Sequence, residues 1–331
     1  MARYVGDQWQ VGFFYESGTY ANASGTLHWI GLVQDHTITE NENVQDVRYA
    51  GTSDRSVGQF VDGARSVEGT ITFHPQDWKF LGFALGSVVD AGSPSPYSHT
   101  LSEANSNNGN AFTSGTKLPF MSFTLEDAQK GFEDGAHFVR TVKGCVVNSW
   151  EVNFSQGAPM SVTCNYVAQS VVKSSGTPTA LTEDTTRPFL WRDAIVAIPS
   201  GTGLDAVTDV TLTVENNVEA KHYANGSRVS DVPLPQNRDY TLSVTVEGNS
   251  EQTSTLYNYF KSGLTFNTLF TVAAADAGAG SRDAFLSFSG CRLTEMPAPS
   301  SIEGAQPQTL TIRPQNASVI VADLTQLYNP W

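Results

Sequence analysis

The sequence predicts a mainly β protein: two tandem β-sandwich or barrel domains, each with one short α-helix, related by internal duplication. Three observations lead there. Apolar and polar residues alternate with period two in many short runs, the pattern of half-buried strands. A ten-residue stretch recurs, as Asp35–Val44 (DHTITENENV) and Asp209–Val218 (DVTLTVENNV), at an offset of 174. The same order of elements then follows each copy: strand, long loop, strand, helix, long loop, three or more strands.

Along the chain, residues 1–27 are rich in Gly, Tyr and Phe and show neither clean period. They read as an arm whose aromatics must be covered by a partner or by the domain itself. The strand at Asp35–Val44 leads into a polar loop, about 45–66, that holds Tyr49, Arg55 and Phe60. Alternation resumes at Glu68–Phe73. Pro75 suits a helix start, and Trp78, Leu81 and Leu85 recur at i, i+3 and i+7 as the buried stripe of a helix ending near Gly86. Residues 87–118 carry turn chemistry and have no counterpart of equal length later on. Strands are expected at Phe120–Leu125, His137–Cys145, Trp150–Phe154 and Met160–Val167, the last two joined by the turn Gln156–Pro159.

The Ser/Thr/Pro-rich stretch 173–189 reads as a linker, which divides the chain into an arm 1–27, a first domain 28–172 and a second domain 190–331. The second half repeats the first. Tyr49-Ala50 meets Tyr223-Ala224 at the same offset, and the polar loops end at Arg65 and Arg238, each just before a strand. Those strands are Thr70–Phe73 and Leu242–Val246. A helix over Thr253–Gly263, with stripe Leu256, Tyr259 and Phe260, answers the first one, and Gly144-Cys145 answers Gly290-Cys291.

Composition excludes several functions. Hydrophobic content of 40% supports a core in each half, and the net charge of −14 repels phosphate, which disfavours tight nucleic-acid or anionic-membrane binding. No run approaches the roughly 20 apolar residues of a membrane helix, and the first residues lack the apolar core of a signal peptide. Cys145, Cys164 and Cys291 are too few and too scattered for a disulfide framework or zinc site, and sit in apolar runs as small hydrophobes.

Chemical motifs are weak. Gly201-Thr202-Gly203-Leu204-Asp205-Ala206 spells a dinucleotide fingerprint, but the strand-like Val207–Val214 follows where a helix is required. Glu133, Asp134 and His137 lie by a Gly-rich turn without further ligands. No Gly-x-Ser-x-Gly elbow occurs, and the sequons at Asn22, Asn153, Asn225 and Asn316 are what a Ser/Thr-rich chain produces by chance. No catalytic residue, cofactor or metal site is expected, and the chain is not expected to be an enzyme.

The strand–long loop–strand–helix order, its duplication, the aromatic arm and the acidic balance resemble the tail tube proteins of tailed viruses over about 28–172 and 190–326. The resemblance implies barrels in six-fold rings that stack head to tail into a hollow conduit for viral DNA. Two fused barrels would then make a pseudo-hexameric ring from three subunits. It implies that the loops 45–66 and 219–237 reach the next ring, with Tyr49, Phe60 and Tyr223 as anchors and Arg55 and Arg228 facing acidic groups. It also implies partnership with tape-measure, tail terminator and baseplate or tip proteins, transient contact with DNA, and a place in the virion tail after assembly in the host cytoplasm. A lumen lined by hydroxyls and carboxylates would avoid phosphate friction. Thr37, Thr39, Glu40, Glu42, Thr211, Thr213 and Glu215 are candidates for it, with Ser161, Thr163 and Asn165 as another uncharged face. The alternative is a virion decoration protein or a two-domain immunoglobulin-like adhesin or carbohydrate-binding module, which needs no paired long loops.

Overall fold

A computed structural model describes the chain outside residues 1–3, 17–19, 49–56, 92–96, 105–109, 112–116, 119, 132–136, 200, 202, 205, 225, 248–249, 277–279, 298–306 and 324–331. It is built mainly from strands, with two α-helices among the described residues. The first half holds β1 (Tyr4–Glu16), β2 (Ala23–Trp29), β3 (Leu32–Asn41), β4 (Gln45–Val47), β5 (Gln59–Val61), β6 (Ser66–His74), helix α1 (Leu81–Leu85), β7 (Gly86–Ala91), β8 (Tyr97–Glu103), β9 (Asn110–Ala111), β10 (Lys117–Leu118), β11 (Phe123–Gly131), β12 (His137–Ser155), β13 (Ser161–Ala168) and β14 (Ser170–Ser174). The second half holds β15 (Ala194–Ala197), β16 (Val207–Glu215), β17 (Asp239–Glu247), helix α2 (Ser250–Ser262), β18 (Phe266–Asp276), β19 (Gly280–Glu295), β20 (Pro307–Arg313) and β21 (Asn316–Asp323).

Three sheets organise most of these strands, with β4–β5 and β9–β10 as two separate pairs, and all the pairing is antiparallel. A sheet shared by both halves runs β3–β6–β13–β12–β16–β17–β20–β19. The first-half sheet runs β14–β12–β11–β1–β2. The second-half sheet runs β7–β8–β21–β19–β18–β15. Each half is thus a sandwich with the shared sheet as one layer.

Pairing order repeats between halves. In the first half β3, β6, β13, β12 and β11 follow one another, with β14 and β1 flanking; in the second, β16, β17, β20, β19 and β18 do so, with β21 and β15 flanking. Two long strands, β12 and β19, pass from one layer into the other, and the repeated Gly-Cys pair marks each corner. Gly144 and Gly290 take positive φ (67° and 61°), while Cys145 and Cys291 are buried.

Burial follows the period-two pattern. Ile71, Phe73, Val162, Cys164, Trp150, Val152, Val210, Leu212, Leu242, Val244, Leu310 and Ile312 all face inward from the shared sheet. In the first half they meet rings of Phe80, Phe83, Phe123 and Phe13; Phe83 and Phe123 lie tilted with centroids 4.7 Å apart, and Phe80 tilts on Trp150 at 5.6 Å. Trp78, Leu81 and Leu85 are buried as their spacing predicts, although regular helix begins only at Leu81; Gly86 caps it in the left-handed region. Leu256 is buried and Tyr259 and Phe260 partly so on α2.

Three sequence expectations change. Residues 4–16, read as part of an arm, form a strand of the first-half sheet, and Val11, Phe13 and Tyr15 are covered by the domain itself. Aromatics on consecutive positions (Phe13, Phe14, Tyr15) had masked the alternation. The 87–118 segment supplies β7 and β8 to the second half, where β8 pairs with β21. The stretch after β14 is tied down: Thr179 bonds Glu126 through both its N–H and its hydroxyl (2.7 Å each), Gln10 Nε2 donates to Thr179 O (2.7 Å), and Phe189 is fully buried under the Arg282 guanidinium, 5.1 Å from its ring centre.

Candidate assembly surfaces

The face of the shared sheet opposite the core is a polar surface built row by row. One row, read across strands, is Thr37, Thr70, Asn165, Ser149, Glu215, Asp239. The next is Asp35, Thr72, Thr163, Glu151, Thr213, Thr241, and a third is Ser161, Asn153, Thr211, Ser243, Thr311, Glu295. The charged residues named in these rows are acidic, and where β20 and β19 continue the second row it ends on the exposed Arg313 and Arg292. Polar groups bind one another along the first row, where Thr70 Oγ1 donates to Asn165 Oδ1 (2.6 Å) and Asn165 Nδ2 to Ser149 Oγ (2.8 Å), and in a further row of the same face Thr245 and Thr309 share a hydrogen bond of 3.0 Å. Donors engaged in this way offer little to a passing ligand.

Of the residues singled out from the sequence, Thr37, Thr211, Thr213 and Glu215 fall in these rows, as do Ser161, Thr163 and Asn165. Thr39 is exposed one step along β3, paired with Glu68. Glu40 and Glu42 lie at the loop end instead. Arg65 Nη1 sits 3.4 Å from Glu40 and Arg65 Nη2 bonds Glu42, whose carboxyl that bond holds below the usual range, with Arg228 adding to the effect. Period two hid the remaining members of the rows, on β6, β12, β17 and β20, only because facing strands were unknown.

The seam between halves is itself a sheet junction. Seven residues of β12, Ser149–Ser155, pair with β16 from Glu215 back to Asp209. Asn216 locks its end, donating to Ala84 O (3.1 Å) and Val147 O (3.0 Å) and accepting from Arg238 Nε (2.6 Å), while Arg238 Nη1 reaches Leu85 O (3.0 Å). The shared sheet therefore joins the two halves without a break, and in the described residues neither β3 nor the C-terminal end of β19 has a partner on its outer side.

The two long loops project together. Arg228 bonds Gly63 O (2.9 Å), Asp62 (3.0 Å) and Glu42, and Arg65 N–H donates to Arg228 O (2.8 Å). Phe60, on the β4–β5 hairpin, is 68% exposed beside exposed Val47 and Val61, and Tyr223 is 54% exposed. Tyr49 and Arg55 lie outside the described residues.

The fold is thus a two-layer β-protein with a polar sheet face, exposed aromatic loops and a sheet continuous through two halves of like pairing order. The chain belongs to the phage tail tube protein family, whose model matches residues 11–319. The family is structural, and places the chain in the virion tail, assembling with itself and with other tail proteins. No curated protein matches the chain. Among the described residues no helix is long and apolar enough to cross a membrane.

Proposed function

We propose that three copies of the chain close into a pseudo-hexameric ring, and that rings stack head to tail into the conduit through which viral DNA is delivered. One observation carries this reading: the β12–β16 seam. It joins two half-sheets of like pairing order, as expected of a duplicated domain, and β19 stands in the second half where β12 stands in the first. Both run along their neighbour in the same register, Ser149 opposite Asn165 and Glu295 opposite Thr311, each just past a bulge. Repeating the seam between chains sets β3 of the next chain beside β19, with Glu295 facing Asn41 of that chain. A heterologous contact of this kind closes on itself when the rotation fits, and hides both sheet edges.

In such a ring the acidic and hydroxyl rows line the lumen, with Thr37, Thr39, Thr211, Thr213 and Glu215 among them. Screening confines their repulsion of phosphate to roughly 8 Å at physiological salt, a distance that matters in a narrow bore. Phe60 and Tyr223, with Tyr49, anchor the next ring. Arg55 and Arg228 meet its acidic groups, Arg228 by exchanging its in-chain partners Asp62 and Glu42. Tape-measure, tail terminator and baseplate or tip proteins meet the tube along its bore and at its ends, after assembly in the host cytoplasm. Native mass spectrometry with electron microscopy of purified protein tests the reading. Rings with three chains are expected; six-chain rings or lasting monomers overturn it.

A further inference from the structure

The two helices stand alike in the two halves, but only one of them is covered. Helix α1 packs on β12 and α2 on β19, and each is followed by a glycine in the left-handed region, Gly86 (φ 92°) and Gly263 (φ 65°). Every residue of α1 is buried, and the second half closes its C-terminal end. The carbonyls of Ala84 and Leu85 lie beyond the reach of the helix's own N–H groups. Asn216 Nδ2 donates to the first and Arg238 Nη1 to the second, while Arg238 Nε holds Asn216 Oδ1 at 2.6 Å. On α2 the matching residues, Lys261 and Ser262, are exposed, and Leu264 just past the glycine is 60% exposed.

The free end of β3 carries the same kind of pair. Asn41 stands opposite Ser66 as Glu215 stands opposite Asp239, so Glu42 and Arg65 hold the places of Asn216 and Arg238. They are bonded to each other as that pair is, and the residues that follow, Asn43 and Asn217, share a positive φ of 46° and 48°. One exchange differs. Asn216 gives protons to Ala84 O and Val147 O, whereas the Glu42 carboxylate has none to give. The receiving side differs to match. Arg292 faces Arg313 two places before the β19 bulge, as Val146 faces Val167 before the β12 bulge. Its guanidinium lies 3.2 Å from where a Cβ on Gly263 would stand, at the end of α2. A cation there also suits the helix dipole.

We propose that the C-terminal end of α2 is a docking site for a second copy of the chain, whose Arg65 donates to the last carbonyls of the helix and whose Glu42 pairs with Arg292. The proposal rests on the ring described above. With β3 of the next chain beside β19, Asn41 falls opposite Glu295, and the Arg65–Glu42 pair then falls at α2 as Arg238 and Asn216 fall at α1. Leu264 is covered by the same contact. Charge complementarity names the partner, because β3 and β19 are the two ends of the shared sheet and Glu42 cannot reach Arg292 of its own chain.

A coupling cycle tests it. Arg292→Val sets the neighbour's Glu42 against bare carbonyls and should raise the protein concentration needed for rings several-fold, read by sedimentation with electron microscopy. Glu42→Asn leaves Arg292 without its carboxylate and should also weaken assembly. The double variant places Asn and Val together, as in the seam within the chain, and should assemble better than the two single effects multiplied together. Thermal melting of the monomer should show the same two changes as additive, since the sites are far apart in one chain. Should Glu42→Asn lower monomer stability, Glu42→Gln takes its place in the cycle. Parent rings with single effects that simply multiply, or with no effect of either change, would overturn this docking and leave the ring standing. A parent that never forms rings would overturn both.

Discussion

Gly144 and Gly290 occupy the same corner in the two halves, each in the left-handed region where a long strand leaves the shared sheet, but they are hemmed in by different neighbours. A Cβ on Gly144 would stand 2.6 Å from the Tyr20 ring, whose hydroxyl bonds Gly144 O at 2.6 Å. A Cβ on Gly290 would meet the end of the Gln315 side chain at 2.4 Å. Both Ala variants incur the left-handed penalty of about 1–2 kcal/mol. Only at Gly144 must a packed, hydrogen-bonded ring also move. Urea unfolding should therefore show Gly144→Ala as the more destabilising of the two. Equal losses would mean that Tyr20 yields as easily as a flexible Gln.

Acid should loosen the first half through Asp127. Burial by itself pushes this carboxyl up. The neighbouring His36 ring (Nδ1 at 3.2 Å), the Arg140 guanidinium (2.6 Å) and Trp9 Nε1 (2.8 Å) outweigh burial and hold it below the ordinary carboxylate range. A carboxyl lowered on folding contributes stability that is present above its unfolded value, about 3.9, and is lost as pH falls through the lower folded value. Asp127→Asn removes that contribution, so its melting temperature should fall below that of the parent at pH 7 and the gap should narrow towards pH 3. A gap that stays constant with pH would show that the ion cluster contributes nothing through Asp127.

Much of the fold was legible because the repeat spells it. Asp35–Val44 and Asp209–Val218 landed on β3 and β16, and the helical stripes at Trp78 and Leu256 are buried. Long-range pairings were not legible. Nothing in Tyr97–Glu103 says that it will pair with β21, more than two hundred residues on, because period two fixes which side chains face the core and leaves the neighbouring strand open. His137–Cys145 and Trp150–Phe154 read as two strands and are one, since a corner glycine looks like a turn in sequence. Glu40 and Glu42 read as part of the polar face from their place next to Thr37 and Thr39, and only the fold brings Arg65 and Arg228 to them.

Ring closure by β3 predicts a divided response to proline. Consecutive residues on a strand point their N–H groups to opposite edges, so of Thr39→Pro and Glu40→Pro one removes a bond to β6 and the other only an outward donor. One variant should lose thermal stability. The other should melt close to the parent as a monomer and fail to form rings or tubes in electron microscopy. If both assemble normally, β3 is not the edge that joins chains.

The polar rows make the last prediction, on charge. Thr211 and Thr213 sit on β16 in two adjacent rows, flanked by Asn153 and Ser243 in one and by Glu151 and Thr241 in the other. Both side chains are half-buried on a face already supplied with carboxylates, so lysine at either place extends over the surface and finds Glu151, Glu215 or Asp209 nearby at little cost to folding. Tubes carrying Thr211→Lys and Thr213→Lys should therefore form. If this face lines the bore, DNA sliding past meets cations repeated in every subunit, and each phosphate contact releases counterions and adds affinity that falls steeply with salt. DNA release from particles carrying the variant tube should slow at low ionic strength and recover as salt is raised. Thr211→Asp and Thr213→Asp should release at the parental rate, since a carboxylate gives phosphate nothing to bind. Slowing by both signs of charge would point to a steric effect of side-chain length, and slowing by neither would move the polar face to the outside of the tube.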